Sequence, residues 1–119
     1  MAQDDISRKV ALAWLNAFYG PLLTEKQRQV LRLHCEEDLS LGEIAKEAGI
    51  SRQGVHESLA GAEKRLRELE SRLGLAERFR HLSEGLQECK AAMDAKDYAA
   101  AAQVVDTLIT WNEEESYGL

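Results

Sequence analysis

Proline is nearly absent from this chain, with Pro21 alone among 119 residues. β-Branched residues are also sparse, while Ala, Leu, Glu, Lys and Arg are abundant. A sheet fold has little to build on, and helix is favoured almost everywhere. Cysteine is scarce too. Cys35 and Cys89 lie far apart without metal-ligand spacing, which argues against a disulfide framework and points to reduced thiols of a cytoplasmic protein. No apolar run approaches the length of a membrane span, and the opening "MAQDDISRKV" has no apolar signal core, so membrane insertion is not expected. His34, His56 and His81 share no ligand spacing with each other or with the cysteines, so no metal is expected. The eight glycines are scattered and form no phosphate-binding loop. With no nucleophile–base set in view, neither an enzyme nor a cofactor is expected.

What is present is a helical protein of ordinary solubility. Apolar residues make up 45% and charged residues 30%. A chain this long buries roughly two-thirds of its unfolded surface, enough for one real core. The spacing of Ile6, Val10, Ala13, Trp14, Ala17 and Phe18 predicts a first helix over Ser7–Phe18 with one apolar, core-facing stripe. Trp14, Phe18 and Tyr19 are read as core. "YGP" stops this helix, Gly20 offering a left-handed exit and Pro21 disfavouring helix before it. Thr24 and Gln27 have capping-box spacing and open a second helix, with Val30, Leu31 and His34 or Cys35 inward. Ser40 and Glu43 repeat that spacing and open a short helix, Leu41–Glu47.

The turn "AGIS" leads to a fourth helix capped by Ser51 and ending at Leu73, with Gly74 as its stop. Val55, Leu59, Ala62, Leu66, Leu69 and Leu73 step at heptad spacing. Beyond it the pattern predicts a helical hairpin. Phe79, Leu82, Leu86, Cys89 and Met93 mark one stripe, and Tyr98, Ala102, Val105 and Leu108 or Ile109 the other, around a turn at "AKD". These stripes pack on one another within the chain or against a second copy. Trp111 and Tyr117 are candidate interface anchors. The expected division is residues 1–75 as a helix-turn-helix domain and 76–119 as the hairpin, a packing or dimerisation arm.

"EIAKEAGISRQGVHESL", residues 43–59, carries the chemistry. In a helix-turn-helix the two helices cross closely, so a small residue is needed at the crossing, and Ala45 supplies it. The turn needs positive φ, cheap for Gly49. Ile44, Ile50 and Val55 point into the shared core. Ser58 stands where a further apolar residue is usual, and Leu59 takes over that contact. The exposed first turns of the second helix offer Arg52, Gln53, His56 and Glu57. Arg bonds guanine bidentately and Gln adenine, and a recognition helix presents just these turns to the major groove.

Charge sets a limit on this reading. Phosphate neutralisation supplies most of the affinity for duplex DNA, yet the net charge is −6. Residues 1–50 hold 6 Lys+Arg against 8 Asp+Glu, residues 51–80 hold 7 against 5, and residues 81–119 hold 2 against 8. The acidity sits mostly in the last third, and the reading helix lies in the only net-positive segment.

The span "LTEKQRQVLRLHCEEDLSLGEIAKEAGISRQGVHESLAGAEKRL" resembles region 4 of bacterial sigma factors. It is closer still to the YlxM-like family of small bacterial helix-turn-helix regulators, on the strings "FYGPLLTEKQ", "EDLSLGEIA" and "SRQGV". The likeness covers roughly residues 12–75. It implies an all-α fold, no enzymatic activity, and a link to the signal recognition particle pathway. It places Arg52, Gln53, His56 and Glu57 at base-facing positions.

The resulting expectation is a cytoplasmic, all-α protein with a sigma region 4-like helix-turn-helix domain and a C-terminal helical hairpin. Arg52, Gln53 and His56 would contact bases of duplex DNA, and Ser51 would cap the helix and reach phosphate. Lys46, Lys64 and Arg65 are candidate phosphate contacts. A homodimer is expected, since helix-turn-helix proteins commonly bind half-sites one DNA turn apart. The alternative is a non-catalytic adaptor for the signal recognition particle GTPase or its RNA, working through the acidic last third.

Overall fold

Local signals set most of the helix ends. The structure is a computed structural model that describes the backbone of residues 2–117 and the side chains of residues 6–115. Its helices are α1 (Ala2–Tyr19), α2 (Glu25–Cys35), α3 (Leu41–Ala48), α4 (Arg52–Leu73), α5 (Leu75–Asp94) and α6 (Tyr98–Tyr117), with a 3-10 turn at Gly20–Leu22. No strand occurs among the described residues, so the fold is all-α. Both expected capping boxes are formed: Thr24 with Gln27 opens α2, and Ser40 with Glu43 opens α3. Ser51 caps α4 by accepting the Gly54 N–H at 2.9 Å. Gly49 (φ 69°) ends α3 and Gly74 (φ 63°) ends α4, both left-handed, where a side chain would be strained.

The exit from α1 works differently from the expectation. Gly20 is not left-handed; the chain tightens into the 3-10 turn with Pro21 in its first positions. Glycine leaves room there for the Asn16 side chain, since a Cβ would stand 2.7 Å from Asn16 Oδ1 and displace it. The helix also begins earlier than Ser7, since neither Pro nor Gly interrupts residues 2–6.

The chain forms two compact units, Met1–Ala76 and Glu77–Leu119. In the first, α1, α2 and the back of α4 enclose a core of Leu12, Leu15, Tyr19, Leu31, Ala62 and Leu66. A second cluster of Val30, Leu33, Ile44, Ala45 and Val55 joins α2, α3 and the start of α4. Leu59 packs against both clusters, as Ser58 in the usual apolar position requires.

α1 presents the other of its two apolar faces to this core. Leu12, Leu15 and Tyr19 are buried, whereas Ile6 is 57%, Val10 64% and Trp14 40% exposed. The rotation is fixed by a polar clasp. The Tyr19 hydroxyl donates to Glu70 Oε1 at 2.5 Å and accepts the Leu75 N–H at 3.0 Å, and Glu70 Oε1 also accepts the Ala76 N–H at 3.1 Å. That clasp turns the Leu12–Leu15–Tyr19 face inward and leaves the Ile6–Val10–Trp14 stripe outside.

In the second unit, α5 and α6 meet on small residues. Gly85 lies so close to Leu108 that a Cβ would come within 2.6 Å of its Cδ2. The Cys89 thiol faces the Ala101 carbonyl oxygen at 3.8 Å. At the open end His81 stacks on Trp111 with ring centroids 4.1 Å apart, and the Arg78 guanidinium lies 5.4 Å from the Trp111 ring centre. Trp111 therefore packs within the hairpin. The side chain of Tyr117 lies outside the described residues. The expected stripes join the two helices only in part: Cys89 and Leu108 face the partner helix, whereas Leu82, Leu86 and Met93 of α5, and Tyr98, Val105 and Ile109 of α6, are 42–64% exposed. Close approach at Gly85 and Ala101 is the reason, since small residues let backbones come together and rotate the large side chains outward.

Candidate nucleic-acid interface

α4 starts cleanly because three local demands agree. Gly49 turns the chain, Ile50 packs against the inner cluster, and Ser51 caps the first N–H groups of α4. Ile44 and Val55 are fully buried and Ala45 is 9% exposed at the crossing of α3 and α4. The cap leaves the first turn rigid, with its side chains outside.

Arg52, Gln53, His56 and Glu57 are all exposed on the first two turns. At 3.6 residues per turn they divide into two faces. Arg52 and His56 look toward the start of α3 and toward α1. The guanidinium of Arg52 lies across Gly42, where a Cβ would stand 2.7 Å from its Nη2. His56 lines a cleft of about 590 Å³ with Arg8, Lys9, His34, Asp38 and Glu63. Gln53 and Glu57 form the more outward face, and the Gln53 Nε2 donates to Glu57 Oε1 at 3.4 Å. Glu57 thus engages the very amide expected to read a base.

The other predicted residues are more dispersed. Lys64 is exposed and shares the outward face of Gln53, but lies about 16 Å further along the helix axis. Arg65 is exposed and turned about a third of a helical circle away from that face. Lys46 is exposed in the last turn of α3. Ser51 spends its oxygen on the cap. The structure gathers Ser51, Arg52, Gln53 and His56 at one helix start and leaves Lys64 and Arg65 as separate positions along the same helix.

Cations that sequence reading passed over stand around this site. Lys26 at the start of α2 donates to the Ala48 carbonyl at 3.0 Å, which brings an ammonium to the end of α3 beside the turn. Arg8 and Lys9 of α1 border the cleft, but each is engaged by an acid. Arg8 Nη2 donates to Glu63 Oε1 at 2.5 Å, and Lys9 pairs with Asp38. The hydrogen bond from Lys9 holds the Asp38 carboxyl below the usual range. Burial works against ionisation of Glu63, but hydrogen bonds from Arg8 and Arg67 more than offset it and hold its carboxyl low as well. Glu43 is held low by the Ser40 N–H and hydroxyl of its capping box. The site is therefore a preformed helix start with one extended cation, Arg52, and a mixed-charge border. Spacing could not place Arg52 over Gly42 or Lys26 beside the turn, because both contacts join separate helices.

Comparison with known proteins gives a consistent result. Residues 6–105 match the model of the UPF0122 family, described as "Putative helix-turn-helix protein, YlxM / p13 like". The UPF0122 protein of Symbiobacterium thermophilum is 42% identical over 97 residues, covering 82% of this chain and 91% of the relative. That of Halalkalibacterium halodurans is 38% identical over 107 residues, covering 87% and 98%. That of Desulforamulus reducens is 42% identical over 89 residues, covering 75% and 76%.

Proposed function

This chain belongs to the YlxM / p13-like helix-turn-helix family, and we propose that it is a regulatory protein that binds duplex DNA through the start of α4. The observation that carries this reading is the solvent-facing first turn of a fully formed helix-turn-helix. Ser51 caps it, and Arg52, Gln53 and His56 stand exposed there with nothing of their own unit packed over them. Arg52 and Gln53 supply the donors that read base edges, and His56 adds a polar ring beside them. Lys46, Lys64 and Arg65 contribute phosphate contacts along the border. With few free cations, binding is weak for a single copy and is strengthened by dimerisation. No helix among the described residues is long and apolar enough to cross a membrane, and the proposed setting is the cytoplasm.

A second reading is an adaptor, with the fold retained and the partner a component of the signal recognition particle, its GTPase or its RNA. The Gln53–Glu57 pair and the acidity of residues 81–119 support it. One fluorescence-anisotropy titration separates the two, with random duplex DNA and the particle's RNA hairpin as parallel probes at two salt concentrations. The regulator reading expects duplex affinity that falls linearly with salt on logarithmic axes, and an Arg52→Ala loss of roughly 5- to 100-fold on a selected target site. Binding to the RNA hairpin alone, or duplex binding indifferent to Arg52, sinks it in favour of the adaptor.

A further inference from the structure

The hairpin carries an apolar face that its own two helices do not use. Contacts between Arg78 and Asn112, Gly85 and Leu108, and Cys89 and Ala101 set the register of α5 on α6. In that register Leu82 lies level with Ile109, Leu86 with Val105, and Met93 with Tyr98. On each helix these residues sit about a quarter turn from the inward face. Because the helices are antiparallel, both quarter turns bring them to the same side of the hairpin. Their exposures are 42% and 51%, 55% and 42%, and 53% and 64%, pair by pair. The opposite side carries Glu77, Arg80, Glu84, Gln103 and Thr107, all exposed. The hairpin is thus a two-helix layer, apolar on one side and polar on the other.

We infer that this face pairs with the same face of a second copy, giving an antiparallel four-helix bundle that joins two reading heads. Three observations select that occupant. Six large side chains about half exposed amount to several hundred Å² of apolar surface, the size of a patch that is often an interaction site and approaching the roughly 800 Å² per partner of a standard interface. The α5 residues Leu82, Leu86 and Met93 lie along one side of the helix over about three turns, a stripe shaped for another long helix rather than for a globular pocket. The two stripes also span similar lengths on helices of 20 residues each, so a two-fold axis through their middle places each large residue against the other copy's stripe. Charge excludes an anionic membrane surface or a nucleic acid as the occupant, because residues 77–119 hold 4 Lys+Arg against 9 Asp+Glu.

This inference deepens the regulator reading, which asks for two reading heads, but its test does not depend on DNA. Sedimentation equilibrium of the full chain from micromolar to millimolar concentration is expected to show a monomer–dimer equilibrium. The double variant Leu86→Glu with Val105→Glu raises the dimer dissociation constant at least 30-fold, on the order of a hot-spot loss. Gln87→Glu, exposed one heptad from Arg80 and turned away from the face, leaves it within about two-fold. Far-ultraviolet dichroism of each variant shows that the helices persist. If the double variant loses helix, the single change Ile109→Lys reads the same face. A monomer at every concentration overturns the inference, since no second copy then covers the face. A dimer that survives both sets of changes overturns it too, because the contact lies elsewhere. Dimerisation without duplex binding leaves it standing while removing the regulator reading.

Discussion

The two units use the same raw material to different ends. Both are helical, and both carry apolar residues at heptad spacing. In Met1–Ala76 the α4 stripe is covered up to Leu69, with Val55, Ala62 and Leu66 fully buried, and Leu73 at the helix end is 55% exposed. In Glu77–Leu119 the large stripe residues stay near half exposed, and Gly85 and Ala101 are the buried positions. The difference lies in the number of layers. The first unit has three helices packed on α4, so the apolar side of α4 has a cover. The second has two helices, and two helices cannot enclose a core. Heptad spacing therefore reports that a stripe seeks a cover, not what the cover is.

Two leucines make the sharpest test of that contrast. Leu66 is fully buried between α1 and α4, and Leu66→Ala is expected to lower the unfolding free energy by about 2–5 kcal/mol, the cost of an interior cavity. Leu86→Ala, at 55% exposure, is expected to cost less than about 1 kcal/mol in the dilute monomer. Urea titrations followed by dichroism, run at the lowest workable concentration, measure both. Equal losses would mean that the hairpin face is as fully covered as the core, and the contrast between the units would collapse.

The Tyr19 clasp comes next in size. Tyr19 is 1% exposed, and its hydroxyl joins the end of α1 to Glu70 and to the first N–H of α5. Burial comes first among the causes that raise its pKa, followed by the hydrogen bond to the Glu70 carboxylate. Tyr19→Phe keeps the ring but leaves the Leu75 N–H short of the hydroxyl and takes one donor from Glu70 Oε1, which keeps the Ala76 N–H, at a cost of about 1–3 kcal/mol. The same measurement reads it. A loss below a few tenths would show that the clasp merely accompanies the rotation of α1 and does not set it.

How far the sequence carried the reading follows from the range of each interaction. Thr24–Gln27, Ser40–Glu43, Ser51 and Gly49 act over three residues or through one backbone angle, so the helix starts and the turn were legible. The rotation of α1 was not, because two apolar faces on one helix have similar spacing and the choice rests on Tyr19 meeting Glu70, 51 positions away. The hairpin had the same ambiguity, resolved by small residues that a search for large apolar side chains passes over. At the site, Arg52, Gln53 and His56 were legible as a capped first turn. The placement of Arg52 over Gly42, and of Lys26 at the end of α3, depends on the crossing of helices and had no signal in spacing.

The smallest expected effect separates the two units by their ion pairs. Glu63 is mostly enclosed and accepts from Arg8 at 2.5 Å and from Arg67 at 3.1 Å, bridging α1 to α4. The pairs of Arg80 with Glu77 and Glu84 lie open to solvent along a single helix. The Glu63 carboxyl is held below its usual range despite the opposing effect of burial. A carboxyl held low in the folded state stabilises the fold above its unfolded pKa, ordinarily near 4.3, and that stabilisation is lost as pH falls through the folded value. Both arginines are more than half exposed, so solvent screening keeps the contribution to about 0.5–1 kcal/mol. Glu63→Gln is therefore expected to lower stability by that amount at pH 7, with the gap to the parent closing as pH drops below the carboxylate range. Glu84→Gln is expected to show no gap at either pH. Thermal melts between pH 3 and pH 7 decide it. A Glu63→Gln deficit that persists unchanged at the lowest pH would mean that packing, and not charge, ties α1 to α4.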